Sequence, residues 1–236
     1  MNGFSSHNFD SSKTKLSQGN PRMSKKYLFT GFMIIAILVA AVFSARAALN
    51  KEVAFSAEGK IKGSPSAPIK ISDWSDFQCP SCALAHKTIH QFMEAHPDAV
   101  QLKFNHFPLR GHQHSRLAHI SAECAYRLGN FWPYHDKLFD NQDKWAVLQD
   151  PQDTFIQYAE EIGLPKNDFV ACLSDAEAEK AVLLEKIEGA KLQIERTPTL
   201  FVNNERLVGG VELEAKLNAL LPKEGEKSGG GPAEAK

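Results

Sequence analysis

Short alternating segments and a longer helical pattern follow one another along the middle of the chain. Pro68 to Trp74 alternates in polarity, with Ile69 and Ile71 on the same side as Asp73, and predicts a strand. Ala99 to Asn105 repeats this pattern. Between the two, Cys79 to His96 predicts a helix, which Pro97 ends. The order strand, helix, strand is typical of an α/β core.

The pattern is helical from about residue 113 to residue 193 and then returns to strands. Thr199 to Val202 and Arg206 to Val208 predict a hairpin that turns at Asn203-Asn204. Glu212 to Leu221 predicts a closing helix, whereas residues 50–67 contain glycine and proline breakers and predict an irregular lead-in. We therefore expect one α/β domain over residues 50–221 with a helical insertion in its middle.

An apolar run near the N-terminus indicates export. Tyr27 to Phe43 is apolar apart from Thr30 and Gly31, and it follows a cationic patch that includes Lys25 and Lys26. Two interpretations stay open. Residues 27–45 are a transmembrane anchor, or residues 27–47 are a signal peptide cleaved near Ala47. Under either one, the positive charges stay in the cytoplasm and the domain enters the periplasm or cell envelope.

The two ends of the chain are polar. Residues 1–26 predict a disordered cytoplasmic extension, or a mis-assigned start if translation begins at Met23 rather than Met1. Residues 222–236 predict a disordered tail. A net charge of −1 over 236 residues, with no basic stripe, argues against nucleic acid as a partner.

The segment Cys79-Pro80-Ser81-Cys82 carries the candidate chemistry. It opens a predicted helix directly after a strand, where free backbone N–H groups and the helix dipole stabilise a thiolate. The pKa of Cys79 should therefore fall, and Cys82 lies one turn further on. A structural disulfide or half of a zinc site are the alternatives. No second close cysteine pair exists, so we expect neither a metal site nor a cofactor.

Two further features accompany the cysteine pair. Asp73 precedes Cys79 on the predicted strand, where burial would raise its pKa and suit it to exchange a proton with Cys82. An exposed carboxylate at the strand end is the alternative. The segment Arg196-Thr197-Pro198 stands just before the hairpin, and its local sequence does not decide whether the Pro198 bond is cis.

Two more cysteines, Cys124 and Cys172, lie on predicted helices of the insertion among apolar neighbours. They are either buried free thiols or a structural disulfide. We favour the disulfide because the predicted compartment is oxidising.

These features, taken in this order, resemble the DsbA-like branch of the thioredoxin superfamily, in its secreted or membrane-anchored bacterial members. The resemblance covers about residues 58–221 and implies a thioredoxin-like fold with an inserted helical domain. It is carried by four stretches: residues 72–82, 104–109, 131–139 and 197–203. Arg196 departs from the glycine usual in the family, and the Pro80-Ser81 dipeptide lacks the histidine of its strongest oxidant.

The resemblance implies a role for each matching residue. Cys79 is the attacking cysteine, Cys82 resolves, and Asp73 occupies the place of the buried acid. Thr197 and a cis Pro198 lie against the cysteines, and their backbone pairs with an extended substrate peptide. Pro80 and Ser81, the dipeptide between the cysteines, are expected to contact the substrate as well.

The activity implied is a protein-disulfide oxidoreductase, a dithiol oxidase that forms disulfides in exported proteins through a mixed disulfide. The oxidase direction is favoured because no separate dimerisation domain of the kind that disulfide isomerases carry is visible. A membrane redox partner, quinone-linked, would reoxidise the protein, and we expect a monomer. A reductase or isomerase fed by a membrane electron donor is the rival within this class. A peptide-binding chaperone without turnover, or a metal carrier using the cysteines and nearby histidines, are rivals outside it.

Overall fold

The computed structural model describes residues 33–40 and 59–221. By its contacts the chain divides into two units, residues 1–47 and 48–236. In the first unit, residues 33–40 are helical. None of the helices in the described ranges is long and apolar enough to cross a membrane. The predictions for residues 1–26, for the rest of the 27–47 segment and for the tail at 222–236 lie outside the described residues.

The second unit contains a five-stranded sheet. The strands are β1 (Lys60–Gly63), β2 (Ile69–Ser75), β3 (Val100–His106), β4 (Thr199–Val202) and β5 (Glu205–Val208). Their order is β1-β3-β2-β4-β5, in which β2 and β3 run parallel and the other neighbours are antiparallel. β2 is the central strand, so the segment that leads into the cysteine pair is held by hydrogen bonds on both sides.

Eight helices in the described part of this unit accompany the sheet. They are α1 (Pro80–Ala95), α2 (Ser115–Arg127), α3 (Phe131–Asp140), α4 (Gln142–Trp145), α5 (Gln152–Glu161), α6 (Lys166–Leu173), α7 (Ala176–Lys191) and α8 (Leu213–Leu220). Helices α2 to α7 form the insertion between β3 and β4, which confirms the predicted α/β fold with a helical insertion.

One face of the sheet packs against α1 and α8. Ile89 and Phe92 of α1 and Leu217 of α8 lie in one apolar cluster with Ile69 and Ile71 of β2. Ile89 and Phe92 are three residues apart on one side of the helix, and the two isoleucines are two residues apart on one face of the strand. The faces that the sequence pattern predicts to be buried therefore pack against each other. Burial of this face fixes the start of α1 beside the end of β2.

The predicted irregular lead-in was wrong at residues 60–63. Lys60–Gly63 forms the edge strand β1, which pairs antiparallel with β3. Its sequence, Lys-Ile-Lys-Gly, alternates over only three residues, and the buried member is Lys60 rather than Ile61, so the polarity pattern does not identify the strand. The strand is specified by contacts distant in sequence: Lys60 is buried, with Nζ 2.6 Å from Oε1 of Glu185 and 3.2 Å from Oε2 of Glu123.

The hairpin forms at the predicted place. Asn203 and Asn204 both have positive φ, at 47° and 69°, as a tight two-residue hairpin turn requires. The Asn203 side chain also anchors the turn to β2, because its Oδ1 accepts the Lys70 backbone N–H at 2.7 Å.

Candidate active site

Cys79 and Cys82 meet at the beginning of α1. Cys79 is the N-cap residue, with φ −81° and ψ 120°, and Pro80 is the first residue of the helix, where its missing N–H costs no hydrogen bond. The carbonyl of Cys79 accepts the backbone N–H groups of Cys82 at 3.0 Å and Ala83 at 3.2 Å. Both cysteines are free thiols in this structure, and Cys82 is the deeper of the two at 1% exposure against 8% for Cys79.

The surroundings separate the two thiols in acidity. A hydrogen bond from the Cys82 thiol, with smaller contributions from Thr197 and backbone N–H groups at the helix start, outweighs burial and lowers the pKa of Cys79 to about 5. Burial, together with the charges of Cys79 and Asp73, raises the pKa of Cys82 well above its ordinary value. At neutral pH the pair therefore holds one thiolate, on Cys79, and one thiol, on Cys82.

Asp73 is buried, with 4% of its surface exposed, on β2 behind the cysteine pair. Burial, opposed by the Ser75 hydroxyl, which donates to Oδ1 at 2.5 Å, raises the pKa of Asp73 to about 7. A carboxyl that titrates near neutral pH can give or take a proton. Its charge also acts on Cys82, which places it electrostatically within the cysteine site.

The loop between β2 and Cys79 is held by Asp76, a residue that no motif in the sequence marks as part of the site. Its backbone N–H donates to Sγ of Cys82 at 3.4 Å, and its carbonyl accepts the N–H of Cys79 at 3.0 Å. Its buried carboxylate accepts the backbone N–H groups of Gln78 at 2.8 Å and Leu109 at 2.7 Å. Because Asp76 bonds from both backbone and side chain, it fixes the position of both cysteines.

The charge state of Asp76 follows from the same contacts. Burial opposes ionisation, but the facing imidazole of His119 and the N–H groups of Leu109 and Gln78 outweigh it and hold the pKa of this carboxyl well below its usual range. Nδ1 of His112 lies 2.9 Å from Oδ2 of Asp76. No local sequence pattern identifies these partners, because they come from the loop after β3 and from α2.

The helical insertion also reaches the active-site loop through Gln142, the first residue of α4. Its Nε2 donates to the carbonyls of Phe77 at 2.6 Å and Cys79 at 3.0 Å. The phenyl ring of Phe77 packs in the insertion's apolar cluster, 5.0 Å from that of Phe104. The insertion is thus part of the frame that orients Cys79.

The loop before β4 completes the site. The peptide bond between Thr197 and Pro198 is cis, and Pro198 is buried. Sγ of Cys79 lies 3.5 Å from the backbone oxygen of Thr197, so the predicted contact between this loop and the cysteines is present. Pro80 and Ser81 are exposed at the beginning of α1.

Cys124 and Cys172 lie away from this site and form a disulfide that joins α2 to α6, with Cα atoms 5.7 Å apart. Cys124 is buried in the insertion's core. The bond closes a loop of 48 residues within the insertion, and Cys79 and Cys82 remain as the free cysteines of the chain.

Comparison with known proteins places this geometry in a family. A family model described as thioredoxin matches residues 56–221, well over half of the chain. The chain belongs to the thioredoxin family. A solved structure of alpha-DsbA1 from Wolbachia pipientis superposes with a TM-score of 0.62 at 22% identity, covering 72% of this chain and 93% of that one. The predicted DsbA-like fold is confirmed.

Two curated relatives differ in how far they extend beyond the thioredoxin domain. A probable disulfide bond formation protein D of Bacillus cereus is 28% identical over 162 residues, which cover 65% of this chain and 74% of that protein. The Na⁺/H⁺ antiporter NhaA 3 of Salinispora tropica is 29% identical over 163 residues, 68% of this chain. The chain spans about a quarter of the length of that antiporter, 24%.

Proposed function

We propose that this protein is a DsbA-type thiol–disulfide oxidoreductase that works in the oxidising direction on exported proteins. The observation that carries the proposal is the opposite displacement of the two cysteine pKa values, with Cys79 held as a thiolate and Cys82 as a thiol. A low pKa makes Cys79 a good leaving group and stabilises the reduced form of the pair. The disulfide form is therefore a strong oxidant.

The reaction begins with the Cys79–Cys82 disulfide. A substrate thiolate attacks Sγ of Cys79, a mixed disulfide forms, and the bond to Cys82 breaks. Cys82 leaves as a thiolate, which takes up a proton because the pKa of Cys82 is raised. Asp73, which titrates near pH 7, supplies that proton. A second substrate thiolate then attacks the substrate sulfur and expels the Cys79 thiolate. Two electrons have passed from the substrate dithiol to the protein.

Substrate recognition is assigned to the surface around Cys79. The Thr197-Pro198 loop offers backbone groups beside the sulfur, and an extended peptide could pair there as a short added strand. Pro80 and Ser81 form the exposed rim on the other side. The preferred substrates are extended, unfolded polypeptides with cysteines, because Cys79 itself is only 8% exposed and lies below this rim.

The setting proposed is the periplasm or cell envelope, on the strength of the apolar N-terminal run and its cationic flank. A membrane redox partner, quinone-linked, would reoxidise the pair after each turnover. The protein would act as a monomer.

Trapping tests the activity. In Cys82→Ser the resolving thiol is missing, so mixed disulfides with substrates should accumulate on Cys79 in cells. Cys79→Ser is the matched control, because it retains one buried thiol but lacks the nucleophile, and it should trap nothing. An absence of mixed disulfides in the first variant would refute the catalytic proposal in favour of a binding role.

The reduction potential tests the direction. Equilibration with glutathione should give a value above about −200 mV, the more oxidising end of the family range. A value near thioredoxin's, about −270 mV, would overturn the oxidase direction and favour the reductase.

A further inference from the structure

A second cluster of chemically active side chains lies where α1 meets α3. It consists of His86 on α1 and His135 and Asp136 on α3, and we call it the α1–α3 site. One ligand atom from each of these residues lies within 4.8 Å of those from the other two. His86 lies one turn beyond Cys82, so the site lies on the catalytic helix but does not include either cysteine.

The His86 imidazole lacks a hydrogen bond among the described residues although it is only 8% exposed. Its nearest carboxylate oxygen is Oδ1 of Asp140, 3.7 Å from Nε2, beyond hydrogen-bond distance. Its ring nitrogens are not among the buried side-chain atoms that lack a partner, so the imidazole is open to the solvent of the adjoining cavity. The ring is held in place by stacking on Phe139, with centroids 5.0 Å apart, and by edge contact with the His135 ring at 5.1 Å.

The other two ligands are already close together. Nδ1 of His135 lies 2.8 Å from Oδ1 of Asp136, and a metal ion bound between these two atoms would replace the proton that they share. Lys62 approaches the second carboxylate oxygen, Oδ2, at 3.4 Å, whereas Oδ1 faces the His135 imidazole. The ligand atoms of a tetrahedral ion with metal–nitrogen distances of about 2.0–2.1 Å are roughly 3.3 Å apart. Side-chain movements of about an ångström would bring the three donors to that spacing.

An open cavity of about 620 Å³ reaches the site from solvent. His86, His90 and Asp140 are among its lining residues. The cavity gives an ion a route to His86, and it presents Asp140 as the nearest further carboxylate to complete the set.

From this geometry we infer that the α1–α3 site binds one divalent transition-metal ion of the zinc class, with His86, His135 and Asp136 as ligands. Two imidazoles and a carboxylate are a donor set suited to such ions, whereas calcium and magnesium prefer oxygen ligands alone. The ion would join the catalytic helix to the helical insertion. It uses neither Cys79 nor Cys82, so it is distinct from the redox centre and from a metal carrier built on the cysteines.

Zinc titration of the full-length protein tests this inference. The protein is first oxidised, so that both cysteine pairs are disulfides and no thiolate can bind metal, and then stripped with a chelator. Calorimetry with Zn²⁺ at neutral pH should show one site per chain with a dissociation constant in the micromolar range or tighter. Co²⁺ added in place of Zn²⁺ should give the visible absorption of a tetrahedral complex.

Matched variants locate the site. His86→Gln and Asp136→Asn should each weaken Zn²⁺ binding at least about 30-fold and abolish the Co²⁺ spectrum, because each removes a ligand. His96→Gln, at the end of the same helix but outside the cluster, should leave both unchanged. Asp136 is partly exposed, so its variant keeps the test valid if His86→Gln does not fold.

Two results would overturn the inference. One is the absence of stoichiometric zinc binding by the oxidised protein. The other is binding that persists equally in His86→Gln and Asp136→Asn, which would assign it to other histidines. The oxidised protein performs no turnover in this assay, so the outcome is independent of whether the proposed oxidase activity is correct.

Discussion

Replacing Asp73 by asparagine should make the reduced protein more stable, increasingly so as the pH rises. Burial raises the pKa of Asp73 to about 7 from its ordinary value of 3.8, so between these values the folded protein keeps a proton that the unfolded chain has lost. Stability therefore falls as the pH rises through this range. Each unit of difference between the folded and unfolded pKa corresponds to about 1.4 kcal/mol, so ionising this buried carboxyl lowers the free energy of unfolding by about 4 kcal/mol at pH 8.

Asparagine is neutral at every pH, has nearly the same shape, and its side-chain oxygen can still accept from the Ser75 hydroxyl. Urea unfolding of the reduced wild type and of Asp73→Asn, measured at unit intervals from pH 4 to pH 8, gives the difference directly. We expect the two unfolding free energies to agree near pH 4 and the variant to gain up to about 4 kcal/mol by pH 8.

Asp98→Asn is the matched control, because Asp98 is exposed after the end of α1. Its stability difference from wild type should be small and independent of pH. A difference for Asp73→Asn that is equally flat would show that this carboxyl ionises as it does in the unfolded chain. The proton-donor role assigned to it would then lose its basis.

Three further changes probe the frame around the site. Replacing both Cys124 and Cys172 by alanine opens a loop of 48 residues, so chemical unfolding should show that the free energy of unfolding falls by about 4 kcal/mol. Thiol-exchange activity should be retained, and a folded but inactive variant would contradict the functional separation of the two cysteine pairs. Gly189→Ala places a methyl group 2.8 Å from ring atoms of Phe107 and Trp74, so we expect a loss of about 1–3 kcal/mol; an unchanged melting temperature would contradict this packing. Gln142→Ala removes the side-chain donor from the Phe77 carbonyl, whereas the Cys79 carbonyl keeps the backbone N–H groups of the helix start. The change should cost about 1–3 kcal/mol and slow the reaction at Cys79, and wild-type kinetics would show that the insertion does not orient the thiol.

Local patterns in the sequence predict most elements of the fold. The alternation in β2 and β3 predicted these strands, and the helical spacing after Cys79 predicted α1. In each case the apolar residues recur with the period of the element and lie on its buried face. Strand β1 was missed because Lys60–Gly63 has little local signal and is specified by its ladder with β3 and by ion pairs of Lys60.

The sequence predicted only those residues of the site whose role is set by their own segment of the chain. The position of Cys79 at a helix start follows from the sequence, as does the parity that buries Asp73. The roles of Asp76 and Gln142 depend on contacts with segments 33 and 65 residues away in the chain. The α1–α3 site was missed for the same reason, since His86 and His135 are brought together only by the packing of α1 against α3.

The acidity of Cys79 tests the central claim most directly. The reduced protein is titrated while the ultraviolet absorbance of the thiolate is followed, and Cys79→Ser identifies which step belongs to this residue. The account predicts a midpoint of about 5 that is absent from the variant. A midpoint near that of free cysteine, about 8.5, would contradict it, because Cys79 would then be neither a stabilised thiolate nor a good leaving group.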